Sequence, residues 1–237
     1  MTNLIKLGTF AILLVAMTIT SCNSSKKTTA GGAKTVSEGH IVYDITADGA
    51  AGAALNGSTM EIYFTPDNAK MAMNMMSGMM KIDMIVDNNK KEGLMLMDMM
   101  GQRKAAKMSK AELEEKEKEQ VNKKPQKAEY VNNYKTIAGY KCQEVHVTMD
   151  GLDDPAIVYV TEQIKPAHLD KVNMQFSGLK GFPLSWTIEQ SGMKMTMRAS
   201  EVSLSKVDKK VFDMTIPSGY TETTIEEMQQ MGGGMGM

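Results

Sequence analysis

Residues 70–100 read KMAMNMMSGMMKIDMIVDNNKKEGLMLMDMM, with an apolar side chain, most often methionine, at every second position of three successive segments. A period of two is the signature of strands that present one apolar face, and it conflicts with the 3.6-residue repeat of an amphipathic helix. Ser77-Gly78 has the composition of a two-residue hairpin turn, and residues 88–91 that of a four-residue turn. These turns predict a register: Met75 opposite Met80, Met73 opposite Ile82 and Met71 opposite Met84, then Met84 opposite Met95, Ile82 opposite Met97 and Met80 opposite Met99. One face then carries Met71, Met73, Met75, Met80, Ile82, Met84, Met95, Met97 and Met99. The other mixes Ala72, Asn74, Lys81, Asp83 and Asp98 with Ile85, Leu94 and Leu96, and sets Lys81 beside Asp98.

The N-terminus is read apart from the fold. Lys6 is followed by an apolar run over residues 7–19, and Ile19-Thr20-Ser21-Cys22 ends it with small residues before a cysteine. That order is a bacterial lipoprotein signal, residues 1–21, whose removal leaves the Cys22 thiol to accept diacylglycerol as the lipid attachment site. The apolar run is shorter than the roughly 20 residues that span a bilayer as a helix. Residues 22–37 are the lipidated cysteine and a polar Ser/Thr/Lys/Gly tether, residues 38–231 a single β-rich domain, and residues 232–237 (GGGMGM) a flexible tail. Asn23 and the lysines that follow point to the outer membrane, on its periplasmic side.

Without Lys6 the chain carries 26 basic and 28 acidic residues, and the lysines of residues 110–124 alternate with glutamates, so there is no basic surface for nucleic acid. Once Cys22 is acylated, Cys142 is the one remaining thiol, which excludes an intramolecular disulfide and is read as a small buried residue.

Residues 101–108 are read as a further short strand and residues 156–161 as an apolar β-branched run. Period-two patterning recurs at Ile41, Tyr43 and Ile45, over residues 60–65, at 129–133, at Val145, Val147 and Met149, and at Leu184, Trp186 and Ile188. It ends in a second methionine hairpin strand, Met193, Met195 and Met197. A Gly/Ala stretch before Asn56-Gly57 is read as a loop. Ser109 with Glu112 has capping-box spacing and opens a charged helix to about residue 121 with Leu113 its strong apolar residue. Thr223 with Glu226 opens another to about Met231, and a short helix after Pro166 is expected. The fold class is mainly β (α+β): a single curved antiparallel sheet or half-open β-barrel of about ten strands, with two or three short helices against it.

No catalytic motif is present: there is no GxSxG, no phosphate-binding glycine loop and no HExxH, and His40, His146 and His168 are isolated. The chain is read as a non-enzyme without cofactor or metal. The methionines, 25 of 237 residues, are out of proportion. Three readings stand side by side: adaptable core filling, a wall that re-packs around a hydrophobic small molecule or lipid, and a thioether site for Cu(I) or Ag(I). A structural envelope lipoprotein without ligand is a further alternative.

Thr136-Ile137-Ala138-Gly139-Tyr140-Lys141-Cys142, Gly181-Phe182-Pro183-Leu184, Phe212 with Ile216-Pro217-Ser218-Gly219-Tyr220, and Glu226-Glu227-Met228 form a pattern that resembles domain-of-unknown-function family 4412, found largely in lipoproteins and exported proteins of Bacteroidota. The resemblance spans roughly residues 38–231. It assigns no catalytic residue. It implies a fold similar to the periplasmic lipoprotein carriers and mycobacterial lipid-binding lipoproteins, a half-open antiparallel barrel with an apolar concave side.

Overall fold

The computed structural model describes residues 34–122, 125, 127–149, 151–152, 154–166, 176, 178–190 and 192–233, within one compact unit, Gly32–Met237. The signal peptide, Cys22 and the GGGMGM tail's last four residues lie outside the described residues, as do His168 and the helix expected after Pro166. The strands are β1 (Lys34–Val36), β2 (Gly39–Ala47), β3 (Ser58–Phe64), β4 (Asn68–Met75), β5 (Met80–Asp87), β6 (Glu92–Met99), β7 (Gln102–Met108), β8 (Lys127–Ile137), β9 (Tyr140–Thr148), β10 (Ala156–Thr161), β11 (Ile164–Pro166), β12 (Phe182–Gln190), β13 (Met193–Ser203) and β14 (Thr221–Glu222). The α-helices are α1 (Gly49–Leu55), α2 (Lys110–Asn122) and α3 (Ile225–Gly233).

Twelve strands form one open sheet in the order β14-β7-β6-β5-β4-β3-β2-β13-β12-β10-β9-β8. Neighbours are antiparallel except β14, which runs parallel to β7. The mainly-β class with segregated helices holds, but the strand number is fourteen among the described residues rather than about ten, and the sheet is mixed rather than purely antiparallel. The additional pieces are β1 paired in parallel with β11, and the two-residue β14. Strands this short are held by backbone pairing and carry no readable side-chain period. β1 also lies in the stretch read as tether, so the chain is already paired from Lys34.

The predicted register is found at every one of the six pairs across β4, β5 and β6, and Lys81 faces Asp98. Ser77 and Gly78 have φ of 55° and 90°, the positive pair a type I′ turn requires, and Met79 N–H donates to the Met76 carbonyl at 3.3 Å. Met76 is left-handed as well, so the connection occupies four residues between Met75 and Met80 without altering the register. The Gly/Ala stretch read as a loop is α1: its alanines and Leu55 favour helix, and Gly52 lies so close to the Ala47 carbonyl that a Cβ there would sit 1.8 Å from the oxygen.

The motifs that carry the resemblance are structural. Ala138-Gly139 is the positive-φ turn joining β8 to β9, with Ile137 and Cys142 fully buried on either side. Gly181, at φ 114°, backs onto the Thr161 carbonyl, and the Pro183 carbonyl accepts the hydroxyl of fully buried Tyr43 at 3.0 Å.

Candidate functional site: the methionine face

Register across the sheet joins side chains into rows. One row runs Ala199, Tyr43, Met60, Met73, Ile82, Met97, Lys104 from β13 to β7; the next runs Val202, Ile41, Ile62, Met71, Met84, Met95, Ala106. A third joins Met75, Met80, Met99 and Gln102. All nine residues expected on the methionine face are therefore brought to one side of three adjacent strands, and Met60 extends the patch onto β3. On β13, Met195 faces Ala47 and Met197 faces Ile45, and both pack against the same core, so the second methionine hairpin strand belongs to this face too.

Coverage along the face is uneven. Met60, Met75, Met80 and Met97 are buried, whereas Met71, Met73, Ile82, Met84, Met95 and Met99 keep part of their surface exposed. At the β7 end, Leu113 of α2 and Ile225 and Met228 of α3 close over Met97, Ala106 and Met108. The capping box of α2 is as expected: Ser109 N–H donates to the Glu112 carboxylate at 2.7 Å, and Glu112 N–H to Ser109 Oγ at 3.4 Å. That of α3 is shifted by one residue, with Glu227 N–H donating to Thr224 Oγ1 at 3.2 Å and Thr223 Oγ1 bonded to the Glu227 carboxylate. At the other end Trp186, opposite Met197, packs its ring on Tyr43 and Phe176. Its buried Nε1–H has no acceptor among the described residues.

The opposite face of β4 to β7 mixes ion pairs with apolar residues. Lys70 pairs with Asp83 at 2.7 Å, and Arg103 with Asp98 at 2.9 Å. The Arg103 hydrogen bond is the largest influence holding the Asp98 carboxyl below its ordinary range. Ile85, Leu94, Leu96 and Ala105 are buried under Val207 and Phe212, with Val211, Met214, Ile216 and Tyr220 alongside. This C-terminal strap has no period-two or helical pattern, which is why the sequence did not place it.

His40 bonds Glu61 at 2.9 Å and stacks on Tyr63, whose hydroxyl donates to the same carboxylate at 2.5 Å. Glu144 receives Tyr159 at 2.5 Å and Asn133 at 2.7 Å, with His146 at 2.7 Å. His40 and His146 thus each spend a nitrogen on a glutamate in their own part of the sheet. Among the described residues no three His, Cys, Asp or Glu side chains are grouped to hold a metal ion. Cys142 is buried, and burial pushes its thiol up to about 11.

The sequence also left Lys104 unassigned. Met100 and Gly101, at φ 53° and 87°, form a tight turn that pairs Met99 with Gln102 and so puts Gln102, Lys104, Ala106 and Met108 on the methionine face. The Gly101 turn, which sets the register from Met99, was the signal.

Several solved structures are similar. PNGF-II matches at 10% identity and a TM-score of 0.46 over 82% of this chain and 33% of its own, so this chain spans a third of that protein's length. The lipoprotein LppX of Mycobacterium tuberculosis matches at 10% identity and a TM-score of 0.38, covering 73% of this chain and 89% of its own; LprF from Mycobacterium bovis matches at 13% and 0.37, covering 78% and 90%. No curated protein matches in sequence. The family model described as Domain of unknown function (DUF4412) matches residues 38–169, more than half of the sequence and including the β8–β9 turn motif, and the chain belongs to that family.

Proposed function

We propose that this chain is an exported, lipid-anchored protein without catalysis, held to the membrane through Cys22, that binds an acyl chain or similar hydrophobic ligand on its methionine face. The observation that carries this reading is a contrast between the two sides of β5 and β6. The side closed by the C-terminal strap is built from Ile85, Leu94 and Leu96, branched residues that fill fixed space. The other side uses Met84, Met95 and Met99 where surface is still exposed. Unbranched thioether chains re-pack around irregular apolar guests at little rotameric cost, and here they stand where the face keeps exposed surface.

The test is native mass spectrometry of detergent-free protein beginning at Asn23, together with uptake of a fluorescent fatty acid. Co-purified lipid or saturable uptake is expected. A clean unliganded mass with no uptake overturns the reading, and a Met84→Asp variant that stays folded is expected to lose uptake.

The rows favour one second reading. Met71, Met84 and Met95 stand side by side on three strands, as do Met75, Met80 and Met99, and three thioethers suit Cu(I) or Ag(I). That reading expects binding that persists at acidic pH, because thioethers do not titrate. Undiminished binding by the Met71→Leu, Met75→Leu, Met80→Leu triple variant would reject it.

A further inference from the structure

The methionine face of β2 to β7 carries a single side chain that is charged at neutral pH, Lys104. Its strand neighbours Arg103 and Lys107 point to the opposite face, where they pair with Asp98 and Glu222. Lys104 itself is half-buried, and no carboxylate among the described residues pairs with it. It is also flanked on both sides within the sheet, by Met97 on β6 and Thr221 on β14, so its position on the face is fixed by register.

Lys104 ends the row that runs from Ala199 through Tyr43, Met60, Met73, Ile82 and Met97; Tyr43, Met60 and Met97 are buried, and the part-exposed surface leading away from Lys104 is that of Met99 on β6, Ile82 on β5 and Met73 on β4. From β4 to β7 this surface crosses three strand spacings, about 14 Å along the sheet at roughly 4.8 Å each. A zig-zag of ~1.5 Å carbon–carbon bonds advances about 1.25 Å per methylene, so an extended chain of about twelve carbons has that length. An apolar track of this length with an unpaired ammonium at one end complements a single-chain amphiphile with a negative head, since the cation offsets a charge that the apolar face cannot solvate.

Resting on the reading of this face as a hydrophobic-ligand site, we infer that its ligand is an anionic long-chain amphiphile, a carboxylate or phosphate monoester, with the head group at Lys104 and the chain laid over the part-exposed Met99, Ile82 and Met73. The Lys104 ammonium donates to the head-group oxygens, and its alkyl stem continues the apolar track.

Displacement of a pyrene-labelled acyl probe from the chain beginning at Asn23, which retains the whole compact unit, tests this. Dodecanoate and dodecyl phosphate are expected to compete about tenfold better than dodecanol, and hexanoate at least tenfold worse than dodecanoate. The ranking of dodecanoate against dodecyl phosphate distinguishes a fatty-acid source from a phosphate head group. Lys104→Gln is expected to bring the anions down to the level of dodecanol without altering dodecanol itself, and Lys104→Arg to keep the preference. Equal competition by anionic and neutral chains in the parent, or an unchanged preference in Lys104→Gln, makes Lys104 an edge lysine and overturns the inference while the apolar site stands. Failure of the probe to bind at all, with every competitor inert, overturns the underlying reading.

Discussion

Leu113, the buried side chain of α2, rests directly above Gly93 of β6: a Cβ on Gly93 would lie 3.3 Å from Leu113 Cδ2 and 2.6 Å from Met108 Cε. The missing side chain lets a helix with little other apolar surface seat on the sheet. Gly93→Val is expected to destabilise by about 1–3 kcal/mol through overpacking, read as a fall in Tm of roughly 2–4 °C per kcal/mol for a chain of this size. The same substitution in a background with Met108→Ala and Leu113→Ala should cost less, because the two side chains it crowds have been cut back. Equal costs in the two backgrounds would show that these contacts do not limit the size of the residue at 93.

Cys142 gives a test in alkaline solution. Burial is the chief cause of its raised value, about 11 against an ordinary 9.0. Between those values the unfolded chain loses the thiol proton while the folded chain keeps it, so the folded state binds more protons and stability falls as pH rises from about 9 to about 11. Urea midpoints measured across this range should decline, and a Cys142→Ala or Cys142→Ser protein should decline less steeply. The native thiol should also resist a disulfide reagent at pH 8 until urea is added; full reaction without denaturant would contradict its burial.

Glu144 makes the opposite prediction in acid. Its carboxylate is held below the ordinary range first by the Tyr159 hydroxyl, then by His146, with Asn133 adding a third hydrogen bond. A depressed folded value contributes stability that is present above the unfolded value and is lost as pH falls through the folded one. Glu144→Gln should lower stability near pH 7 and flatten the loss seen below about pH 4.5. Parallel acid limbs for parent and variant would remove Glu144 from the acid response.

The register of β4, β5 and β6 was legible because three signals agree: strict alternation, a Ser-Gly turn of fixed length and a four-residue second turn. Coverage was not legible. Nothing in residues 205–220 has a period, yet Phe212, Ile216 and Tyr220 close one face of the sheet, and which face of a strand is closed depends on that distant segment. Lys104 was missed for a related reason. A lysine in a short strand reads as solvent-facing until the turn before it is counted, and only then does its partner become Met97 rather than Asp98.

The C-terminal segment passes from one face of the sheet to the other around β7. Glu38 anchors its start by accepting Val207 N–H at 3.1 Å, Phe212 packs on the strap side, β14 occupies the β7 edge, and Thr223 N–H donates to the Ala105 carbonyl at 2.8 Å. Ile225 and Met228 then close on Met97, Ala106 and Met108. The segment therefore both covers apolar surface and occupies a strand edge that would otherwise offer unpaired backbone groups. The two roles separate by mutation. Met228→Ala should cost about 2–5 kcal/mol as a core truncation and raise the binding of an apolar fluorescent dye while the protein stays monomeric, since β14 still occupies the edge. A chain ending at Tyr220 should show the dye response and also self-associate in size-exclusion chromatography, because the β7 edge is open. A monomeric truncated chain with unchanged Tm would mean that neither the edge nor the methionine face depends on this segment for its cover.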